Sequence, residues 1–259
     1  SVVMPTYNHA LFIGKAVESV LRQSYGNFEL IIVDNYSQDN TAEIVAAYGD
    51  PRIRYVKFAN KGIIAAARNH GIGLAKGEYV AFLDSDDLWL PEKLATQLAA
   101  FGSGGETAMV YSRFRTITGD AVSGQVLPKV KICVSGNIFR TLYLKHFVAC
   151  SGVMVRKNIL EQAGGFNEAP AMVAVEDADL WLRISMTGRI QCASEAPLFL
   201  YRVHAANVSQ GYSVKFKRAF RLVVKYRKSA GFFNFIGAIA LLSASIIRRK
   251  LVDMFGMRR

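Results

Sequence analysis

The run Phe28–Val33 reads FELIIV and stops at Asp34. An apolar run of strand length, bounded by polar residues, describes a strand buried on both faces. A sheet covered by helices on both sides offers that environment. The neighbouring segments supply the rest of such a sheet. Ser1–Met4 is a short apolar run that stops at Pro5. Leu11–Gln23 has helical spacing through Leu11, Ile13, Val17, Val20 and Leu21. Thr41–Tyr48 reads as a helix and Ile53–Phe58 as a strand. Ile63–Ala75 is a helix after the Gly62 turn, and Tyr79–Leu83 is a strand ending in acids. Pro91 opens a helix that runs to Phe101. This alternation predicts an α/β fold with a mostly parallel sheet.

Beyond Met109 the pattern is less regular. Strands are expected over Met109–Thr118, Cys150–Val155 and Pro197–Val203, and helices over Asn137–His146 and Asp177–Met186. Gly119–Gly136 is polar, contains glycine and has no period. It is expected to loop over a site.

The net charge of +12 raises the question of nucleic acid, and its distribution answers it. Twelve of the 32 Lys and Arg lie between Ser213 and Arg259, with Asp253 as the one acid there. The first 212 residues are nearly neutral. Between the basic clusters, Ser229–Ile247 holds 19 uncharged residues, enough for a helix of roughly 28 Å. Cationic flanks on both sides of an apolar helix suit a helix lying in a membrane surface, with Lys and Arg on anionic headgroups. A spanning helix and a helix buried against a partner are the competing readings. No cleavable signal peptide opens the chain, and residues are expected to precede Ser1, which lies inside a strand. Cys133, Cys150 and Cys192 form no CxxC or Cys/His pattern. They are read as free thiols in a reducing compartment, without a disulfide framework or a zinc site.

Three acidic clusters carry the chemistry. Leu83–Asp87 reads LDSDD at the end of an apolar strand. Residues two apart share a face, so Asp84 and Asp86 can converge on one cation while Ser85 points elsewhere. Two carboxylates at the carboxyl end of a strand suit Mg²⁺ or Mn²⁺ shared with phosphate oxygens. An acidic turn before the next helix would look the same. Asp34 and Asn35 end the second strand and can read a nucleobase edge or a ribose hydroxyl, or simply start a turn. Glu176, Asp177 and Asp179 open a helix, where acids complement the dipole. One that faced the metal could act as a general base. Arg68 could reach a diphosphate, and His204 could complete a metal site. No GxGxxG, Walker A or GxSxG motif is present.

Taken together, VVMPTYNHALFIGKAVESVLRQSY, FELIIVDNYSQDNT, GIIAAARNHGIGLAKGEYVAFLDSDDLWLPEKL, VEDADLWLRIS and YRVHAANVS resemble the family-2 inverting glycosyltransferases of the GT-A fold, bacterial cell-surface polysaccharide type. The segments occur in the family's order and cover most of residues 1–210. The resemblance implies a Rossmann-like, mostly parallel central sheet with flanking helices, followed by a basic, apolar helical tail. It implies nucleotide binding by Thr6, Tyr7, Asp34, Asn35, Arg68, Asp84 and Ser85. It implies metal binding by Asp86 with His204, Asp177 as catalytic base, and Glu176 on the acceptor side. Many members carry aspartate where Asn35 stands, so the base is left open.

The implied cofactor is a divalent metal, Mn²⁺ or Mg²⁺. The implied partners are a nucleoside-diphosphate sugar and a saccharide acceptor that is lipid-linked, reached at an anionic membrane surface through 213–259. The expected location is the cytoplasmic face of the cell membrane, peripheral or monotopic. The expected division is 1–110 for the nucleotide sugar, 111–212 for the acceptor within the same domain, and 213–259 for the membrane. A non-catalytic nucleotide-binding scaffold is the alternative. A nucleic-acid binder is disfavoured because the charge lies in a tail interrupted by apolar residues.

Overall fold

The computed structural model describes residues 1–102, 106–128, 133–204 and 212–254. In chain order the first part holds β1 (Val2–Thr6), α1 (Ala10–Leu21), β2 (Leu30–Asp34), α2 (Thr41–Ala46), β3 (Ile53–Lys57), α3 (Ile64–Leu74) and β4 (Tyr79–Phe82). Then come β5 (Leu88–Trp89), α4 (Lys93–Phe101), β6 (Thr107–Thr118), β7 (Ala121–Val122), α5 (Phe139–Leu144), β8 (Val153–Arg156) and α6 (Lys157–Gln162). The last elements are α7 (Glu176–Thr187), β9 (Arg189–Arg202), α8 (Tyr212–Lys225), α9 (Arg227–Ala230) and α10 (Phe232–Met254).

One sheet runs in the order β3-β2-β1-β4-β8-β6-β9-β5, with β7 paired to β6. β3, β2, β1 and β4 are parallel, β8 is antiparallel to β4, and β6 is antiparallel to β8. Two reversals restore direction, so β6, and β9 parallel to it, end at the same rim as β4. The FELIIV run behaves as its composition demands. Leu30 and Ile32 pack into one core, and Ile31 and Val33 into the core on the opposite face. Each such side chain contributes roughly 1.5–3 kcal/mol by leaving water.

Close packing fixes α3 against this sheet. A Cβ on Gly71 would lie 2.4 Å from Val3 Cγ1. Glycine at that point lets the helix rest on β1 and sets the depth of Arg68, one turn earlier.

The less regular half departs from its sequence pattern in three places. β9 begins at Arg189, eight residues before the expected strand. Register shifts in its pairing with β6 break the alternation that would have revealed it. Cys150–Gly152 forms a 3-10 turn ahead of β8 rather than strand, with Gly152 crowded by Phe199. α6 carried no recognised signal.

Cys133 and Cys192, read as free, are joined in a disulfide with Cα atoms 5.4 Å apart, while Cys150 is free and buried. Fifty-nine residues separate the pair, so local spacing could not bring them together.

The C-terminal segment is also more closely attached than a tail. Leu222, Val223, Tyr226, Ala230 and Ala238 are buried in the main core. A break at Gly231, with φ +79°, separates α9 from α10. Among the described residues, no helix is long and apolar enough to cross a membrane. The expected basic residues Lys215, Arg248, Arg249, Lys250, Arg258 and Arg259 lie outside the described side chains.

Candidate active site

Strands that end at one rim deliver the acids to one place. β1 delivers Thr6 and Tyr7, β2 delivers Asp34 and Asn35, β4 leads into Asp84–Asp86, and β9 leads into His204. A cavity of about 950 Å³ opens there, lined by Thr6, Tyr7, Asn35, Arg68, Asp84, Ser85, Asp86, Glu176, Asp177 and His204. Of the expected site residues, Asp34 alone lies off this lining. It is fully buried, and its carboxylate accepts from Tyr55 Oη at 2.7 Å, from the Ser37 amide and from the Ser37 hydroxyl. Its place is under the cavity wall, holding the turn that carries Asn35. Asn35 Oδ1 in turn accepts from the Asn60 amide at 3.0 Å.

The centre of the site is a buried charge cluster. Arg68 is 3% exposed. Its Nη2 donates to Asp84 Oδ1 at 2.7 Å and its Nη1 to Glu176 Oε1 at 2.8 Å. Both bonds of this guanidinium join acids 92 residues apart in the chain, so it ties the β4 loop to α7. Thr6 Oγ1, Arg68 Nε and Glu176 Oε2 are buried without a hydrogen-bond partner among the described residues. Such groups cost roughly 1–3 kcal/mol each until something satisfies them.

Asp177 follows Glu176 and lines the same cavity. Removal from water, helped by the adjacent Glu176 charge, pushes its carboxyl up to about 7. A carboxyl in that range exchanges protons near neutral pH, as a general base must. The α7 N-terminus is preceded by Ala174 at φ +62°, a left-handed conformation that is costly for a residue with a Cβ.

Asp86 and His204 form the second pair. His204 Nε2 lies 2.9 Å from Asp86 Oδ2. Among the described residues, no three His, Cys, Asp or Glu side chains are gathered as a complete metal cage. One carboxylate and one imidazole nevertheless fit Mn²⁺ or Mg²⁺, ions that routinely take the rest of their ligands from phosphate and water.

Residues that carried no sequence signal hold the acidic loop in place. Ser151 Oγ accepts from the Asp84 amide at 3.1 Å and donates to Asp87 Oδ2 at 2.6 Å. Arg202 donates from its amide to Asp87 Oδ1 at 2.8 Å and from Nε to the Asp86 carbonyl at 2.7 Å. Burial, then the charges of Asp86 and Asp84, push the Asp87 carboxyl well above the carboxylate range. His9 Nδ1 lies 2.7 Å from Ser85 Oγ. A lone serine, arginine or histidine has no pattern to read; only the fold brings these to the loop.

Solved structures of like architecture define the class. The structure aligns with S. aureus TarS 1–349 in complex with UDP-GlcNAc at a TM-score of 0.67 and 22% identity, covering 86% of this chain and 64% of that one. It aligns with a mannosyltransferase, PcManGT from Pyrobaculum calidifontis in complex with GDP-Man and Mn²⁺, at a TM-score of 0.62 and 20% identity, covering 95% and 74%. The fold is therefore that of a GT-A glycosyltransferase.

Sequence narrows the class further. The profile described as glycosyl transferase family 2 matches residues 1–164, and the chain belongs to that family. It is an inverting, nucleotide-sugar-dependent glycosyltransferase. It is 33% identical over 222 residues to WfaP of Escherichia coli, a UDP-Glc:alpha-D-GlcNAc-diphosphoundecaprenol beta-1,3-glucosyltransferase, covering 85% of this chain and 82% of that one.

Proposed function

We propose that this enzyme transfers a sugar from a nucleoside diphosphate to a hydroxyl of a lipid-linked saccharide, with metal assistance, at the cytoplasmic face of a membrane, in cell-surface polysaccharide assembly. The observation that carries the reading is Asp177, a carboxyl raised to about 7 on the wall of the cavity that also holds the Asp84–Asp86 loop. The lipid-linked acceptor is supported by the likeness to WfaP and by the basic, apolar C-terminal segment.

In this reading Tyr7, half exposed at the cavity, offers a face for the nucleobase, and Asn35 and Thr6 contact the nucleoside. Asp86 and His204 hold the divalent metal, which supplies charge compensation for the departing diphosphate when bound. Arg68 serves chiefly by fixing Asp84 and Glu176, since both Nη atoms are engaged with them. Asp177 accepts the acceptor hydroxyl's proton as that oxygen attacks the anomeric carbon. One displacement inverts the configuration, and no enzyme nucleophile is required.

The test is thermal stabilisation by uridine, guanosine, thymidine and cytidine diphosphates, each with Mn²⁺ and with chelator, alongside turnover of Asp177→Asn. The expected result is metal-dependent stabilisation by one base, retained in Asp177→Asn while turnover falls by at least about a hundredfold. Full turnover in that variant would remove Asp177 as the base. Folded protein that no nucleotide stabilises would favour the scaffold alternative.

A further inference from the structure

The C-terminal segment packs on the body through one face and leaves the other uncovered. In α10, Phe235, Ala238, Ile239 and Leu242 pack on the main core, the spacing of one helical face. One flank and the far side, near the start of the helix, are apolar as well. Phe233 is 88% exposed, Phe232 72% and Ile236 50%. Arg227 and Lys228, both exposed, stand immediately before this helix. No acid occurs between Ser213 and Arg248.

The patch is rigidly placed. Leu222, Val223, Tyr226 and Ala230, which precede it, are buried. Tyr226 Oη donates to Asp179 Oδ1 at 2.8 Å, and Lys225 Nζ bonds the same oxygen. Asp179 lies on α7, two residues beyond Asp177. Gly237 of α10 lies against Leu144 at the end of α5, and the chain continues from there into the cavity wall at His146–Cys150.

We propose that Phe232, Phe233 and Ile236, with the Arg227–Lys228 corner, form a fixed docking surface for an anionic lipid bilayer. Exposed aromatic side chains require an apolar phase, and the adjacent cations require anions. A bilayer supplies both within one helix diameter. A second copy of the chain would bring like charges together, and nucleic acid offers phosphates without an apolar phase. The surface deepens the lipid-linked reading, because it would hold the cavity at a set height above the acceptor's membrane. Vesicle binding is read without turnover, so the two readings can fail separately.

The experiment is co-sedimentation of the full chain with phosphatidylcholine vesicles, with and without phosphatidylglycerol, at low and high salt. Binding is expected to need phosphatidylglycerol and to weaken with salt. The triple variant Phe232→Ser, Phe233→Ser, Ile236→Ser is expected to bind at least about tenfold more weakly, with unchanged melting temperature and unchanged stabilisation by nucleotide. Arg227→Glu with Lys228→Glu is expected to abolish the preference for anionic lipid. Undiminished vesicle binding by the triple variant would overturn the proposal. A concentration-dependent dimer that the triple substitution dissolves, without vesicle binding by the parent chain, would assign the face to a second copy and overturn it too.

Discussion

Asp177 sits under two opposing demands. The proposed role as base needs its carboxyl free of a proton near neutral pH, and burial favours the protonated form. With the folded value raised from 3.8 to about 7, the folded state holds a proton that the unfolded state has released. Stability from this group is therefore present below about pH 4 and is lost as pH rises through 7. Asp177→Asn should stabilise the protein by up to about 4 kcal/mol at pH 8, a gain that disappears toward pH 4, as chemical denaturation at each pH would read. The amide can still accept from the Ala178 amide, now 2.7 Å away. In the parent enzyme, turnover at saturating substrate should fall below pH 7 with a slope of one proton. Arg68 shows the converse case. Arg68→Met leaves Asp84 and Glu176 without their shared cation, and should cost about 3–5 kcal/mol at neutral pH. Urea titration of the variant against the parent at neutral pH would measure the deficit.

At the scale of elements, the site depends on how closely α3 lies on β1. Gly71→Ala places a methyl 2.4 Å from Val3 Cγ1, so the branched Val3 side chain or the helix has to shift. The expected cost is about 1–3 kcal/mol, with a loss of turnover as the helix carrying Arg68 lifts. Val3→Ala in the same chain should restore part of both, and a double-mutant cycle on stability and turnover would measure the coupling. Elements of this kind were legible in the sequence because β1 to α4 are short, regular and bounded by glycine, proline and acids. The second half was less so. β9 hides behind register shifts against β6, and the 3-10 turn at Cys150 resembles a strand in hydropathy alone. Motif likeness found the acids that line the cavity, whereas Ser151, Arg202 and His9 reach the loop through tertiary contacts that no local pattern records. Asp34 was legible as a strand-end acid, but its burial beneath Tyr55 and Ser37 depends on the neighbouring strand and turn.

For the whole molecule, charge divides the chain at residue 213 but packing does not. A basic, apolar segment reads as a detachable anchor, yet the core continues into Leu222, Val223 and Tyr226, at 0%, 2% and 6% exposure. Tyr143 Oη also donates to the Val223 carbonyl at 2.8 Å. Removing residues 213–259 would take Leu222, Val223 and Tyr226 out of the core, uncover the surface they pack on, and leave the fully buried Asp179 with Arg183 as its remaining charged partner among the described residues. Losing three large core side chains at roughly 1.5–3 kcal/mol each approaches the 5–15 kcal/mol net stability of an ordinary domain. A chain ending at 212 should therefore lose its cooperative melting transition, whether or not lipid is present. A chain ending at Gly231 keeps Tyr226 and Ala230 but loses the packing of Phe235, Ala238, Ile239 and Leu242; it should still melt cooperatively, at a lower temperature, while it loses the Phe232–Ile236 face. Comparing the two by calorimetry and by vesicle co-sedimentation separates a folding role from a docking role. The shorter chain should fail in both, and the longer one should keep its cooperative transition and fail in docking, because the proposed docking face begins beyond the Gly231 break rather than at the first lysine of the basic run.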